Sequence, residues 1–285
     1  MRVSFDPAVI LLLAGAAALY VRALRVLAGR GVRVGRLQQA AWWTGLALTA
    51  LALLGPFDGW GEEAMSAHMA QHLLVADLAA PFLLVGLRNP VLAFYLPRQA
   101  LVPLARSRLR AAFRKLRRPP VAIGVYVLVL YGWHTPVLFE GALRHDLLHA
   151  LQHESFVVAA VLVWWPALEP QRRRLRGELW KAAHIVGARF SGMFLGMFFI
   201  LARTPIYAGW YGEAGERLFG LGPLTDQQVA GALMLFLDAA TMLFAVAFFF
   251  FRSAQDHDRA EARERERARL GAGGGGELGY GGPHR

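Results

Sequence analysis

The chain has 285 residues, of which 56% are apolar, and it contains no cysteine. Its 31 Lys and Arg residues outnumber its 20 Asp and Glu residues, which gives a net charge of +11. Soluble proteins are only about 45–50% apolar even when glycine is counted. The composition therefore argues against a soluble domain, and against reading the positive charge as a nucleic-acid interface.

Seven apolar stretches are long enough, or nearly long enough, to cross a bilayer as helices, which takes about 20 residues. They cover residues 8–28, 39–54, 64–87, 119–138, 145–168, 179–202 and 227–251. None of them alternates apolar and polar residues as the strands of a membrane barrel do. The sequence therefore predicts an all-α polytopic membrane helical bundle with seven transmembrane helices in one domain, residues 1–251.

Basic residues are concentrated on one side of these predicted helices. Five of them, from Arg22 to Arg36, follow the first apolar stretch, whereas a secretory signal carries its positive charge before that stretch. If the segment after the first helix is cytoplasmic, 26 of the 31 basic residues lie on the cytoplasmic side, as the positive-inside rule expects. The sequence thus predicts an outside N-terminus and a cytoplasmic C-terminus.

Two segments outside the predicted helices have a distinct composition. Residues 252–285 alternate in charge and then become rich in glycine. This pattern predicts a brief extension of the last helix and then a disordered cytoplasmic tail. Residues 89–118 mix basic and apolar residues, which predicts an amphipathic segment lying on anionic lipid.

Six of the nine histidines lie in the outer part of the predicted helices. They are His68, His72, His134, His145, His149 and His153. Met65, His68, Met69 and His72 follow the i, i+3, i+4, i+7 spacing of one helix face. The three histidines of the fifth helix are four residues apart and form another stripe. His145 lies beside Asp146 at the water interface, so we expect it outside the cluster.

These side chains predict a metal site at the outer face. Imidazole binds zinc, copper, iron and nickel, and thioether favours Cu(I). Ionisable groups in a membrane are costly unless they pair, bind a ligand or line a path. Any single histidine could instead cap a helix or bond a neighbour, but six at one depth favour a shared role.

Five ordered motifs between about residues 42 and 251 resemble the CtaG family of caa3-type cytochrome c oxidase assembly factors. They are His68-Met-Ala-Gln-His72-Leu-Leu, Trp133-His134-Thr-Pro136, His149-Ala-Leu-Gln-His153-Glu-Ser-Phe156 with Trp164-Trp165-Pro166, Arg203-Thr-Pro205-Ile-Tyr207-Ala, and Asp226-Gln-Gln-Val-Ala-Gly231. One position departs from the family pattern, since Gln152 stands where an acidic residue usually precedes the last histidine.

The resemblance implies a non-catalytic, multi-pass protein of the bacterial plasma membrane that helps to mature a haem-copper oxidase and handles copper, as Cu(I), at the outer face. The family histidines carry over to His68, His72, His134, His149 and His153, and the helix spacing adds Met65 and Met69. The implied partners are oxidase subunits in the lipid bilayer, with a soluble extracytoplasmic copper donor as a further candidate. No nucleic-acid partner is expected.

Two other functions stay open at this point. Facing histidines such as His72 and His153 could ligate haem in an electron-transfer or haem-modifying protein. The cluster could also be structural, in a scaffold for oxidase assembly that binds no metal.

Asp77, Arg189 and Asp238 lie deep inside the predicted third, sixth and seventh helices. We expect Arg189 and Asp238 to pair near the midplane as a tie between helices, with Asp77 as the alternative partner. Gly187, Gly192 and Gly196 with Ser191 give the sixth helix a small-residue face for close packing. The external stretch 203–226 is long enough to form a lid over the histidines.

Overall fold

The computed structural model describes residues 7–168, 179–212 and 218–273, and these residues form helices and connecting turns with no strand among them. The helices are α1 (Pro7–Ala28), α2 (Arg36–Leu54), α3 (Phe57–Glu63), α4 (Met65–His72), a π-helical segment (Leu73–Ala79), α5 (Ala80–Gly86), α6 (Leu92–Tyr95), α7 (Arg98–Arg106), α8 (Arg108–Leu116), α9 (Pro119–Trp133), α10 (Pro136–Arg144), α11 (Asp146–Leu168), α12 (Leu179–Leu201), α13 (Ala208–Tyr211), a 3₁₀ turn (Leu218–Gly220) and α14 (Pro223–Gly273).

In the part of the chain that the structure describes, five helical segments are long and apolar enough to cross a membrane. They are Pro7–Ala28, Met65–Gly86, Asp146–Leu168, Leu179–Leu201 and Pro223–Arg267. A sixth span is possible if α9 and α10, which meet at a bend of 70°, are counted as one. The all-helical prediction is confirmed, and the apolar helices indicate an integral membrane protein. The length and composition of the helices support five or six spans, and the predicted seven are not confirmed.

The predicted fourth span, residues 119–138, is broken by a proline. Pro136 begins α10, and the residue before it, Thr135, has an extended backbone with ψ of 140°. A proline disfavours the helical conformation of the preceding residue, so α9 ends at Trp133 and the chain turns. His134 therefore lies in the break and not within a regular helix.

Helix α2 packs antiparallel along the Met65–Gly86 segment. Near one end the Gln38 side-chain amide donates to the Gly86 carbonyl (3.0 Å), and near the other Gln71 donates to the carbonyl of Ala52 (3.1 Å). In between, a Cβ added to Gly45 would lie 2.8 Å from Leu83. The two helices thus run side by side for most of their length.

The last two long helices, α12 and α14, cross where both have glycine. A Cβ on Gly196 would lie 2.7 Å from the carbonyl oxygen of Gly231, and a Cβ on Gly231 would lie 2.9 Å from Cβ of Phe199. The predicted small-residue face of the sixth helix is therefore present at Gly192 and Gly196. Gly187 has only ordinary contact, since its nearest neighbour, Ile123, would be 3.7 Å away.

Helix α14 continues well past the apolar stretch. Its 51 residues reach Gly273, so the charged segment after residue 251 extends the helix for 22 residues, which is farther than the brief extension predicted. Pairs such as Arg265–Glu261 (3.0 Å) and His257–Glu261 (3.0 Å) lie on its exposed surface. Residues 274–285, to which the prediction of a disordered tail also applies, lie outside the described residues.

The α12–α14 crossing gives a first prediction. Replacing Gly196 by Val is expected to force the two helices apart and to destabilise the protein by about 1–3 kcal/mol, the usual cost of overpacking. Gly124→Val is the matched control, because no atom of residues 7–168, 179–212 or 218–273 lies within 4 Å of a Cβ at that position. Thermal unfolding in detergent checks both, and equal midpoints for the two variants would contradict the close crossing.

Candidate metal centre

The histidines lie at one end of the bundle, where α4 and α11 begin and α9 ends. The first turn of α4 is held there by Asp226, which belongs to the first turn of α14. The backbone N–H of Met65 donates to Asp226 Oδ2 (2.6 Å) and that of Ser66 to Oδ1 (3.2 Å), while the Ser66 hydroxyl also donates to Oδ1. A carboxylate satisfies the free N–H groups at a helix start and is favoured by the helix dipole, so Asp226 fixes the position of α4.

Four imidazoles form two pairs, each within one helix. On α4 the Nε2 atoms of His68 and His72 are 2.7 Å apart. On α11 the Nε2 atoms of His149 and His153 are 3.0 Å apart. Residues four apart lie on the same helix face, so the i, i+4 spacing read in the sequence produces both pairs directly.

The two pairs are in ring contact with each other. His68 stacks on His149 with centroids 5.3 Å apart and planes at 17°, and the centroids of His72 and His153 are 4.6 Å apart. We call His68, His72, His149 and His153 the histidine quartet. Gln152 of α11 is fully buried and interacts with His68, so the position noted in the sequence as a departure from the motif lies at the quartet itself.

Several imidazole nitrogens in this cluster have no hydrogen-bond partner among the described residues. They include Nδ1 of His72, Nδ1 of His153 and Nε2 of His134, all buried. A buried polar atom without a partner costs free energy. Such atoms therefore mark a place where a ligand would be stabilised.

The structure separates His134 from the quartet. Its Nδ1 lies 2.7 Å from the Leu130 carbonyl, and its ring contacts Phe139 and Phe156, each with a centroid distance of 6.1 Å. The same two phenylalanines contact the quartet, Phe139 at His68 (5.1 Å) and Phe156 at His72 (4.9 Å). His134 is thus a neighbour of the quartet beyond an aromatic layer.

The remaining sequence candidates have different surroundings. Met65 and Met69 are both 2% exposed and belong to the apolar core. His145 is exposed, in agreement with the prediction that it lies outside the cluster. His184, near the other end of the bundle, points Nε2 at the Val163 carbonyl (2.9 Å). Spacing in the sequence alone would not separate Met65 and Met69 from the quartet.

A stack of aromatic rings covers the quartet. Tyr207 stacks on Phe139 with centroids 3.9 Å apart, and Phe139 in turn contacts His68. The Tyr207 hydroxyl donates to the carbonyl of His134 (2.8 Å). Phe139 was not singled out in the sequence, since an isolated phenylalanine in an apolar helix gives no signal of its own, and Phe156 was named there only as the end of a motif.

The cover is fastened to the bundle by hydrogen bonds from the segment around α13. Trp210 Nε1 donates to the Glu62 carbonyl (2.9 Å), and the Tyr211 hydroxyl donates to that of Gly61 (2.7 Å). The N–H of Gly209 donates to Glu140 (3.1 Å). Burial raises the pKa of the Tyr207 and Tyr211 hydroxyls, so both stay protonated and donate. Of the predicted lid, residues 213–217 lie outside the described part.

The three intramembrane charges form a second polar group. Arg189 Nη1 donates to Oδ1 of Asp77 and, at 3.3 Å, to Oδ1 of Asp238. The predicted Arg189–Asp238 pair is present, and Asp77, given as the alternative, joins it. Tyr126 and Trp164 place their rings 5.4 and 5.8 Å from the guanidinium carbon.

The quartet is not a closed metal cage. Among the described residues, no group of three or more His, Cys, Asp or Glu side chains is arranged to hold one ion. The imidazoles instead face each other in pairs. Placing one ion on more than two of them would require the rings to turn.

Taken together, these features define an integral membrane protein with an imidazole-rich site inside one end of an apolar bundle. The family of cytochrome c oxidase caa3 assembly factors (Caa3_CtaG) matches residues 18–256. The chain belongs to this family, and the resemblance predicted from its motifs is confirmed. No curated protein and no solved structure matches it.

The cap on α4 gives a second prediction. Asp226→Ala leaves the N–H groups of Met65 and Ser66 without their acceptor and is expected to cost about 1–2 kcal/mol of stability. Asp146→Ala is the matched control, because Asp146 is an exposed acid in the first turn of α11. Thermal unfolding of the two variants in detergent checks this, and equal losses would contradict the role of Asp226.

Proposed function

We propose that this assembly factor binds a copper ion, as Cu(I), at the histidine quartet and passes it to a caa3-type oxidase subunit, without catalysing a reaction. The observation that supports this is the contact of four imidazoles from two helices inside an apolar bundle. Imidazole is a donor that copper accepts. Four of them at one depth exceed what packing requires, because each one costs desolvation.

The pairing of the histidines suits transfer better than storage. Two imidazoles of one pair can hold an ion while the other pair stays available for exchange. On His72 and His153, buried nitrogens that have no partner within the described part of the chain favour occupation by a cation. Met65 and Met69, buried on the same helix as His68 and His72, remain predicted additional ligands, as does His134.

We further infer seven spans with the N-terminus outside and the C-terminus in the cytoplasm. Helix α2 supports the seventh span, because it lies alongside the Met65–Gly86 segment from end to end. The basic residues support the orientation: Arg25 and Arg36 flank the turn between α1 and α2, at the end opposite the quartet, and the basic helices α7 and α8 follow at that same end. The quartet then faces the outer compartment of a bacterial plasma membrane.

This placement also bears on the partners. The oxidase subunit that receives copper shares the membrane, and a soluble extracytoplasmic donor could load the quartet from outside. Because the chain has no cysteine, the site would not depend on thiols, which oxidise in such a compartment.

The haem alternative fits this geometry less well. The His72 and His153 rings are in direct contact, whereas a haem ligated by both would have to lie between them. The absorption spectrum of the purified protein distinguishes the two: a Soret band would support haem, whereas a Cu(I) protein is colourless.

The copper proposal gives a third prediction. Detergent-purified protein loaded anaerobically with Cu(I) is expected to retain it, and the double variant His72→Ala/His153→Ala is expected to lose it. The loss should exceed the about 10–100-fold that a missing outer partner costs a metal site. Copper per chain, measured by elemental analysis, checks this.

His145→Ala is the control for this experiment, because His145 continues the α11 stripe but is exposed. It should retain copper as the unaltered protein does. Full oxidase maturation by the double variant, with no copper bound, would contradict copper delivery and favour the scaffold function.

The aromatic cover gives a fourth prediction. Tyr207→Ala removes a stacked pair worth about 0.5–1.5 kcal/mol, so copper should leave up to about tenfold faster. Tyr207→Phe keeps the ring on Phe139 but loses the hydrogen bond to the His134 carbonyl, so it should release copper more slowly than the alanine variant. Release to a chelator, followed over time, checks both. If the alanine variant releases copper no faster, the segment is not a lid.

A further inference from the structure

Arg189 lies in a group of charges that the bundle shields from solvent. Arg189 is 0% exposed, Asp238 is 2% and Asp77 is 7%. They come from three different elements, namely α12, α14 and the π-helical segment. This group lies apart from the quartet, since Asp77 is five residues beyond His72.

Both carboxyl groups bind the same nitrogen. Arg189 Nη1 donates to Asp77 Oδ1 and to Asp238 Oδ1, and the contact with Asp77 is the shorter. Nη1 also lies 3.3 Å from the Tyr126 hydroxyl. Nε and Nη2 of the guanidinium have no hydrogen-bond partner in the described part of the chain. The two carboxyl groups therefore do not bind different nitrogens of the guanidinium. Because they share Nη1, they lie close to each other.

The charges in this group do not balance if both acids are ionised. One guanidinium faces two carboxylates, and the charges that act on Asp238 are those of Arg189 and Asp77. Tyr126 faces the group from α9 and Trp164 from α11, and neither carries a charge. His72 and His184 lie five residues away on their own helices, and His184 is bonded to a backbone carbonyl. A net negative charge would thus remain in an apolar interior, which is strongly disfavoured.

We propose that Asp77 and Asp238 form a binding site for one proton, carried by Asp238. Two acids that share a site hold a proton between them because both cannot ionise at close range. Asp238 Oδ1 lies 3.3 Å from Arg189 Nη1, which is longer than the roughly 2.7–2.9 Å of a hydrogen bond between two ions, so Asp77 is the ionised partner. Asp238 reaches the group because Gly192 has no side chain: a Cβ there would collide with the Asp238 carboxyl.

Infrared spectroscopy on metal-free protein at neutral pH tests the proposal, so the result does not depend on copper. The unaltered protein should show the C=O stretch of a protonated carboxyl group. Asp238→Asn should remove this band, because Asp77 alone ionises beside Arg189. Asp146→Asn, at an exposed acid, should leave it. The absence of the band in the unaltered protein, or its persistence in Asp238→Asn, would overturn the proposal.

Stability provides a second measurement. Asp238→Asn mimics the protonated acid, so its thermal midpoint should stay within about 3 °C of the original. Asp77→Asn/Asp238→Asn leaves Arg189 buried without an anion and should lower the midpoint by about 10 °C. If Asp238→Asn is as damaging as the double variant, both acids are required as anions and no proton is held.

Discussion

Arg189 is the charge around which the apolar part of the bundle is arranged. A guanidinium inside a membrane protein cannot rely on water, so neighbouring helices must supply its partners. Asp77 comes from the π-helical segment and Asp238 from α14, while α9 and α11 contribute the rings of Tyr126 and Trp164. One buried cation thus fixes four neighbouring elements against α12. The glycines of α12 make this possible by allowing Asp238 and α14 to approach.

Two departures from regular α-helix position side chains of the two polar groups. The π-helical turn after His72 lies between the quartet and Asp77. In an unbroken α-helix, nine residues at about 100° each would set Asp77 roughly opposite His68. The wider turn changes that direction, and Asp77 reaches Arg189. Such turns often occur at functional sites. The second departure, before Pro136, redirects the chain so that Phe139 of α10 covers His68.

Aromatic rings consequently shield the quartet both within the bundle and towards the segment around α13. Phe139 and Phe156 surround it within the bundle, and Tyr207 closes it from the segment around α13. A copper ion held there would be protected from solvent, yet the cover depends on a few hydrogen bonds and one stacked pair. If the protein delivers copper as proposed, a site that opens at modest cost would be more useful than a rigid cage, because a bound ion would have to leave again.

The sequence by itself determined the class of the protein, its family and the two histidine pairs. These properties depend on composition and on spacing within one helix, where the 3.6-residue repeat sets which side chains meet. It also identified Arg189, Asp77 and Asp238 as groups that must find partners, because an isolated charge in an apolar helix is so costly. Helix ends were predicted closely, except where Pro136 broke the fourth stretch and where α14 continued past residue 251.

Only the tertiary structure decided which groups meet across helices. Spacing could not show that His134 lies behind two phenylalanines, that Asp226 caps α4, or that both acids bind one nitrogen of Arg189. Such contacts depend on how helices far apart in the chain are rotated and offset against each other. Glycine contacts, a proline break and a π turn set that arrangement. Their combined effect on helix packing cannot be predicted from the residue pattern of any single helix.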